Sequence, residues 1–165
     1  MKTIVFLFLI SFTAVTAAGS IGLAQTVEEL ESTGLKHYKN AYFKAMPEKN
    51  RAMANKEFAL AEKAFRKAIK KNPRRLNAYL HLGRTYSAQR KYAAAARTYR
   101  SVLTIAPQHK KTYLQLASVL EKNGDYRGAI KALEELRAIE SDDRALRIID
   151  DFISHWKGKP CDMSK

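Results

Sequence analysis

Apolar and small residues recur at helical spacing along most of this chain. Tyr79, Leu82, Gly83 and Tyr86 stand at i, i+3, i+4 and i+7, which puts them on one face of a helix. Ala95, Tyr99 and Val102 share one face of a second helix by the same rule. Ala88-Gln89-Arg90-Lys91 lies between them and is long enough for a tight helix–helix turn. Pro107 ends the second helix, because proline lacks the amide a helix interior needs. The pattern predicts an all-α fold of antiparallel helix pairs.

The pattern repeats at a shift of 34 residues. Phe58, Tyr92 and Tyr126 align, as do Ala61, Ala95 and Ala129, then Phe65, Tyr99 and Leu133, then Ala68, Val102 and Leu136. Tyr79 aligns with Tyr113, Leu82 with Leu116, Gly83 with Ala117 and Tyr86 with Leu120. Asn123-Gly124-Asp125 supplies explicit turn residues at the second link. Small residues at Gly83, Ala95 and Ala129 let helix axes approach, and Tyr79, Tyr86 and Tyr99 fill the space beside them. This period and these residues resemble the tetratricopeptide repeat family. Its pattern sets an aromatic, Leu-Gly, Tyr, Ala, a second aromatic and Pro at fixed positions of a 34-residue unit. Residues 76–109 match through Tyr79, Leu82, Gly83, Tyr86, Tyr92, Ala95, Tyr99 and Pro107. Residues 110–143 match more loosely, with Leu120 where Tyr is usual and Ser141 where Pro is usual. The resemblance implies a short right-handed solenoid of about 2.5–3 repeats.

The flanks depart from the period. Residues 26–75 form an atypical first helix pair. Phe58, Ala61, Phe65, Ala68 and Pro73 fit the second helix of a unit, but the same register puts Pro47 inside the first. Leu30, Leu35, Tyr38, Ala41, Tyr42 and Ala45 instead predict a helix over about 27–46, ended by Pro47. Thr26 and Glu29 form a capping box for it, and an unusually long second helix starts near Glu48. At the other end, Ser141-Asp142-Asp143 caps a helix over 144–157 whose Leu146, Ile149, Phe152, Ile153 and Trp156 form one stripe. That helix covers the last repeat, and residues 158–165 form a flexible tail.

Residues 1–24 have a different character. Met1-Lys2 precedes an apolar run from Thr3 to Val15, and small residues cluster at Ala17, Ala18, Gly19, Gly22 and Ala24. These are the proportions of a signal peptide, with an uncleaved membrane anchor as the alternative. The expected location is periplasmic or extracellular. The single Cys161 excludes an internal disulfide, and an intermolecular one stays open.

Composition sharpens the picture through charge. The net charge is +14 on 165 residues, and residues 63–120 hold 14 basic residues and no acidic one. The densest basic patch is Lys70, Lys71, Arg74 and Arg75 at the end of one helix, where cations also suit the helix dipole. Such a stretch invites an acidic partner or a polyanion, while solvated helix faces would account for it too. Nucleic acid is disfavoured, since no aromatic–basic recognition motif accompanies the charge.

No catalytic constellation is legible. His37, His81, His109 and His155 include no i, i+4 pair, and the chain has no phosphate-binding glycine loop and no Gly-x-Ser-x-Gly elbow. Neither a metal nor a cofactor is implied, and an enzyme is not expected. What the resemblance implies is binding, with first helices lining a concave groove. Position by position it assigns Asn77, Leu80, Arg84 and Ser87 from one unit and Lys111, Leu114, Ser118 and Glu121 from the next. Some members clamp the C-terminal carboxylate of cytosolic heat-shock chaperones with Lys and Asn. Leu80, Arg84, Leu114 and Ser118 occupy the corresponding positions here, so that pattern is absent. The expected function is an exported, non-catalytic scaffold that binds a protein or an acidic peptide through this groove and its basic surface. An anionic envelope component is the alternative partner, and a membrane-tethered assembly factor is the alternative role. The half-matched first unit leaves homodimerisation open.

Overall fold

The computed structural model describes residues 25–47 and 49–159; residues 1–24, expected to be a signal peptide, and the end of the expected tail with Cys161 lie outside the described residues. The described chain is helical throughout. It runs α1 (Val27–Lys39), a π-helical turn (Asn40–Ala45), α2 (Arg51–Lys71), α3 (Leu76–Ala88), α4 (Tyr92–Ile105), α5 (Lys110–Lys122), α6 (Tyr126–Ile139) and α7 (Asp143–Lys157). Each helix packs on the next, and α1 also reaches α3. The architecture is therefore a solenoid of three antiparallel pairs closed by one further helix.

In the first two pairs a glycine on the first helix faces a ring on the second, and in the third pair Ala117 and Leu133 take these positions. A Cβ built on Gly83 would stand 2.5 Å from Cε1 of Tyr99, and one built on Gly34 would stand 2.6 Å from Cε1 of Phe65. Both rings are almost wholly buried, Tyr99 at 2% exposure and Phe65 at 0%. Burying one such ring contributes roughly 1.5–3 kcal/mol, and only a helix without a side chain at that point leaves room for it. Alanines serve the same end elsewhere, with Ala61, Ala68, Ala78, Ala95 and Ala129 fully buried.

This contact sets the register of the first pair. Phe65 and Tyr99 are one 34-residue period apart, but Gly34 and Gly83 are 49 residues apart. The first pair is thus a regular unit carrying 15 extra residues between its helices. Six form the π turn, two lengthen the link and seven extend α2 at its start. The first hairpin consequently projects about 10 Å past its neighbours at 1.5 Å per helical residue. Thr26 and Glu29 make the expected capping box, with Glu29 N donating to Thr26 Oγ1 at 3.1 Å and Thr26 N to Glu29 Oε2 at 2.8 Å. The continuous helix expected over 27–46 instead changes to π geometry at Asn40, and α2 starts at Arg51, where Asn50 caps Met53 N at 3.0 Å.

Asp142 caps α7 through Ala145 N at 2.7 Å. Ile149, Ile153 and Trp156 of its stripe are buried against the preceding pair, while Phe152 stays 48% exposed. Glu140, two residues before that cap, ties the start of α7 to α5. Glu140 Oε1 accepts from Lys110 Nζ at 2.8 Å and from the amides of Ser141 and Asp142 at 2.9 and 3.1 Å. The Lys110 hydrogen bond, followed by the two amides, holds the Glu140 carboxyl well below its ordinary value, at about 2.

Two predictions follow from these links. Arg90 adopts φ 59 at the place where Gly124, one repeat later, has φ 80. The left-handed region costs a residue with a Cβ about 1 kcal/mol, so Arg90→Gly should raise stability by about that amount, read as a higher urea midpoint. For Glu140, a depressed folded-state pKa means stability that is present above the unfolded value of roughly 4.3 and lost as pH falls toward 2. Glu140→Gln should therefore lower the Tm at pH 7, and the gap to the native chain should close as pH drops from about 4 to about 2.

Candidate functional site

The first helices α1, α3 and α5 line one side of the solenoid and enclose an open cleft of about 500 Å³. α3 contributes Arg84, Ser87 and Ala88, and α5 contributes Lys111, Leu114, Gln115, Ser118, Val119 and Lys122. Five of the assigned groove residues therefore meet there: Arg84, Ser87, Lys111, Leu114 and Ser118. Asn77 is exposed and Leu80 half-buried nearer the start of α3, and both lie outside this cleft, as does Glu121.

One wall comes from residues that the sequence marked only as part of the first helix. Tyr38 and Tyr42 line the cleft from the first hairpin, with parallel rings 5.8 Å apart. Tyr38 also leans on Phe58 at 6.0 Å, and burial raises its phenol pKa. Tyr42 is 46% exposed and lies in the π turn, where a continuous helix was expected. The signal for Tyr38 was in the sequence. Gly34 stands to Tyr38 as Gly83 stands to Ser87, so the register of Gly34 puts Tyr38 at a groove position. The 15-residue insertion hid that correspondence.

The chemistry of the cleft is one-sided. Arg84, Lys111 and Lys122 line it and no carboxylate does. Leu114 is 49% exposed, so a large apolar side chain stands open beside these cations. Tyr99 forms part of the floor, and burial pushes its phenol up to about 12, which keeps it neutral. Gln115, also in the lining, carries a buried Oε1 with no hydrogen-bond partner among the described residues. This set suits an extended acidic segment with apolar side chains.

The basic patch is arranged differently from its appearance in sequence. Arg75 is turned toward the start of α1, where Nε and Nη2 hold Glu31 at 3.0 and 2.9 Å and Nη1 approaches Glu28 at 3.2 Å. Lys71 Nζ donates to the Gln25 carbonyl at 2.6 Å. Lys70 and Arg74 are exposed and make no ion pair among the described residues. Other cations of the acid-free stretch are also matched from outside it: Lys110 by Glu140, and Arg66 and Lys91 by Glu62 at 3.6 and 3.7 Å. No group of three or more His, Cys, Asp or Glu residues that could hold a metal ion occurs among the described residues.

Comparison with known proteins bears on the fold. Sequence profiles described as Tetratricopeptide repeat match residues 50–110 and residues 86–148. No curated protein sequence matches the chain. Among solved structures, one similar fold is the TPR2B domain of yeast Sti1 in its pHsp70 complex. It is 16% identical, with a TM-score of 0.59, over 79% of this chain and 95% of that one. Another is the Sgt2 TPR domain from Aspergillus fumigatus, 22% identical with a TM-score of 0.54 over 84% of this chain and 88% of that one.

Proposed function

We propose that this chain, which belongs to the tetratricopeptide repeat family, is a non-catalytic adaptor that binds an extended acidic segment of another protein. The observation that carries the reading is the cleft itself. Three cations, two stacked tyrosines and an exposed leucine converge in it, and no carboxylate opposes them. Charge complementarity would steer the partner and set its register, while Leu114 and the tyrosines would hold its apolar side chains. The yeast Sti1 domain, similar in fold, is described in complex with pHsp70, which supports a partner-binding reading. The cleft here lacks the Lys and Asn of a carboxylate clamp, so the expected ligand is an internal acidic stretch rather than a chain end.

The adaptor is placed outside the cytoplasm on the pattern of residues 1–24, an uncharged stretch after Lys2 that ends in small residues. Among the described residues, no helix is long and apolar enough to cross a membrane. Sequencing the N-terminus of the natively produced protein tests this. A start between Gly19 and Gln25 is expected, and a retained Met1 would favour a tethered form.

The cleft is tested with a fluorescein-labelled peptide of alternating Glu and Leu residues, followed by anisotropy. Arg84→Glu with Lys111→Glu should weaken binding by about tenfold or more at unchanged Tm, because Lys111 is exposed and Arg84 makes no ion pair among the described residues. Arg97→Glu lies outside the cleft and should leave binding intact. Equal losses from both variants would mean that general basicity, and not the cleft, does the binding.

A further inference from the structure

The projecting tip of the first hairpin is built inside out. Its small residues face inward, with Ala41 and Ala45 fully buried against Ala54 and Phe58. Its large apolar residues face outward. Phe43 is 67% exposed, Met46 48% and Met53 39%, and Tyr42 beside them is 46% exposed. Phe43 stands edge-on to Tyr42 at 5.2 Å, so the two rings form one apolar ledge. None of the outward side chains supports the hairpin core, which closes without them.

Cations rim the ledge. Lys44, Lys49 and Arg51 are exposed at the tip, and Lys39 and Lys56 follow one to two turns behind on the two helices. Across residues 39–56 the sequence holds five basic residues against one acidic. Met46, Lys49 and Arg51 line a shallow hollow at the end of the hairpin, so two cations stand next to a flexible apolar side chain. The tip is held in shape from within. The π turn closes through Met46 N to Ala41 O at 3.0 Å and Asn50 N to Ala45 O at 3.0 Å.

We propose that this tip docks on the headgroup region of an anionic lipid surface. Aromatic and methionine side chains beside Lys and Arg are the set that enters the boundary between headgroups and acyl chains, with the cations left at phosphate level. Each Lys or Arg near such a surface adds to the attraction by the negative surface potential. The shape agrees, because the tip is convex and projects about 10 Å past the adjacent pairs. The inference is independent of the cleft, since Phe43, Met46 and Met53 do not line it.

The test uses the full chain with Phe43→Trp. The one native tryptophan, Trp156, is 5% exposed on α7, so the difference from the native spectrum reports on the tip. The probes are phosphatidylcholine vesicles with and without phosphatidylserine, each also prepared with brominated acyl chains. Bromine quenching of the added tryptophan is expected only with phosphatidylserine present. Adding Lys44→Glu, Lys49→Glu and Arg51→Glu should weaken it by about tenfold or more, and raised salt should do the same. Absence of quenching on anionic vesicles would overturn the proposal. So would equal quenching on neutral vesicles that survives charge reversal, which would trace to the apolar run at Thr3–Val15. An emission shift that depends on protein concentration without lipid would assign the tip to a second copy of the chain and overturn it as well.

Discussion

A ring buried against a residue with no side chain is the contact on which this solenoid depends. Gly34 receives Phe65, and Gly83 receives Tyr99. Each contact brings the two helices of a pair close enough to exclude water, and each ring then becomes part of the shared core that runs toward the next pair. An added methyl at either glycine would stand less than 3 Å from the ring, so the ring or the helix would have to move. The rest of the architecture is propagation of this unit, closed where Ile149, Ile153 and Trp156 of α7 cover the last pair.

Because the contact fixes register, extra residues between two paired helices cannot be absorbed along the pair. They can only lengthen its free end. The 15 additional residues of the first hairpin thus become a projection, and the π turn within it decides which side chains face out. That single local change adds Tyr42 beside Tyr38 in the wall of the cleft and supplies an apolar basic tip, through Phe43, Met46 and their cations. The two surfaces adjoin at Tyr42, and a partner held in the cleft would lie close to whatever the tip touches.

Charge follows the same logic of stacking. A basic stretch of sequence is not a basic surface until its neighbours are known. Arg75 is matched by Glu28 and Glu31 from α1, and Lys110 by Glu140 from the α6–α7 link. Those carboxylates lie 30 to 47 residues away in sequence, outside the acid-free stretch. The cations that line the cleft, Arg84, Lys111 and Lys122, have no such match among the described residues. The cleft is thus one of the places where unmatched charge stands open, beside Lys70 and Arg74 and the cations of the first hairpin's tip.

The sequence by itself determined the helix pairs, because a 34-residue recurrence of small and aromatic residues can only be satisfied by stacking. It also determined the caps at Thr26 and Asp142, since a capping hydrogen bond spans three residues and needs no distant partner. Arg84, Ser87, Lys111, Leu114 and Ser118 were legible as groove residues for the same reason, each being a fixed offset within its own unit. Tertiary structure alone decided the rest. Tyr42 is half-exposed in a π turn that helical periodicity cannot register, and Tyr38 reached the cleft only once Gly34 had paired with Phe65. Arg75 lost its place in an open basic patch to carboxylates from another helix. Local offsets are written in the chain, whereas which ring meets which glycine, and which charge meets which, depends on helices packing across gaps the sequence does not mark.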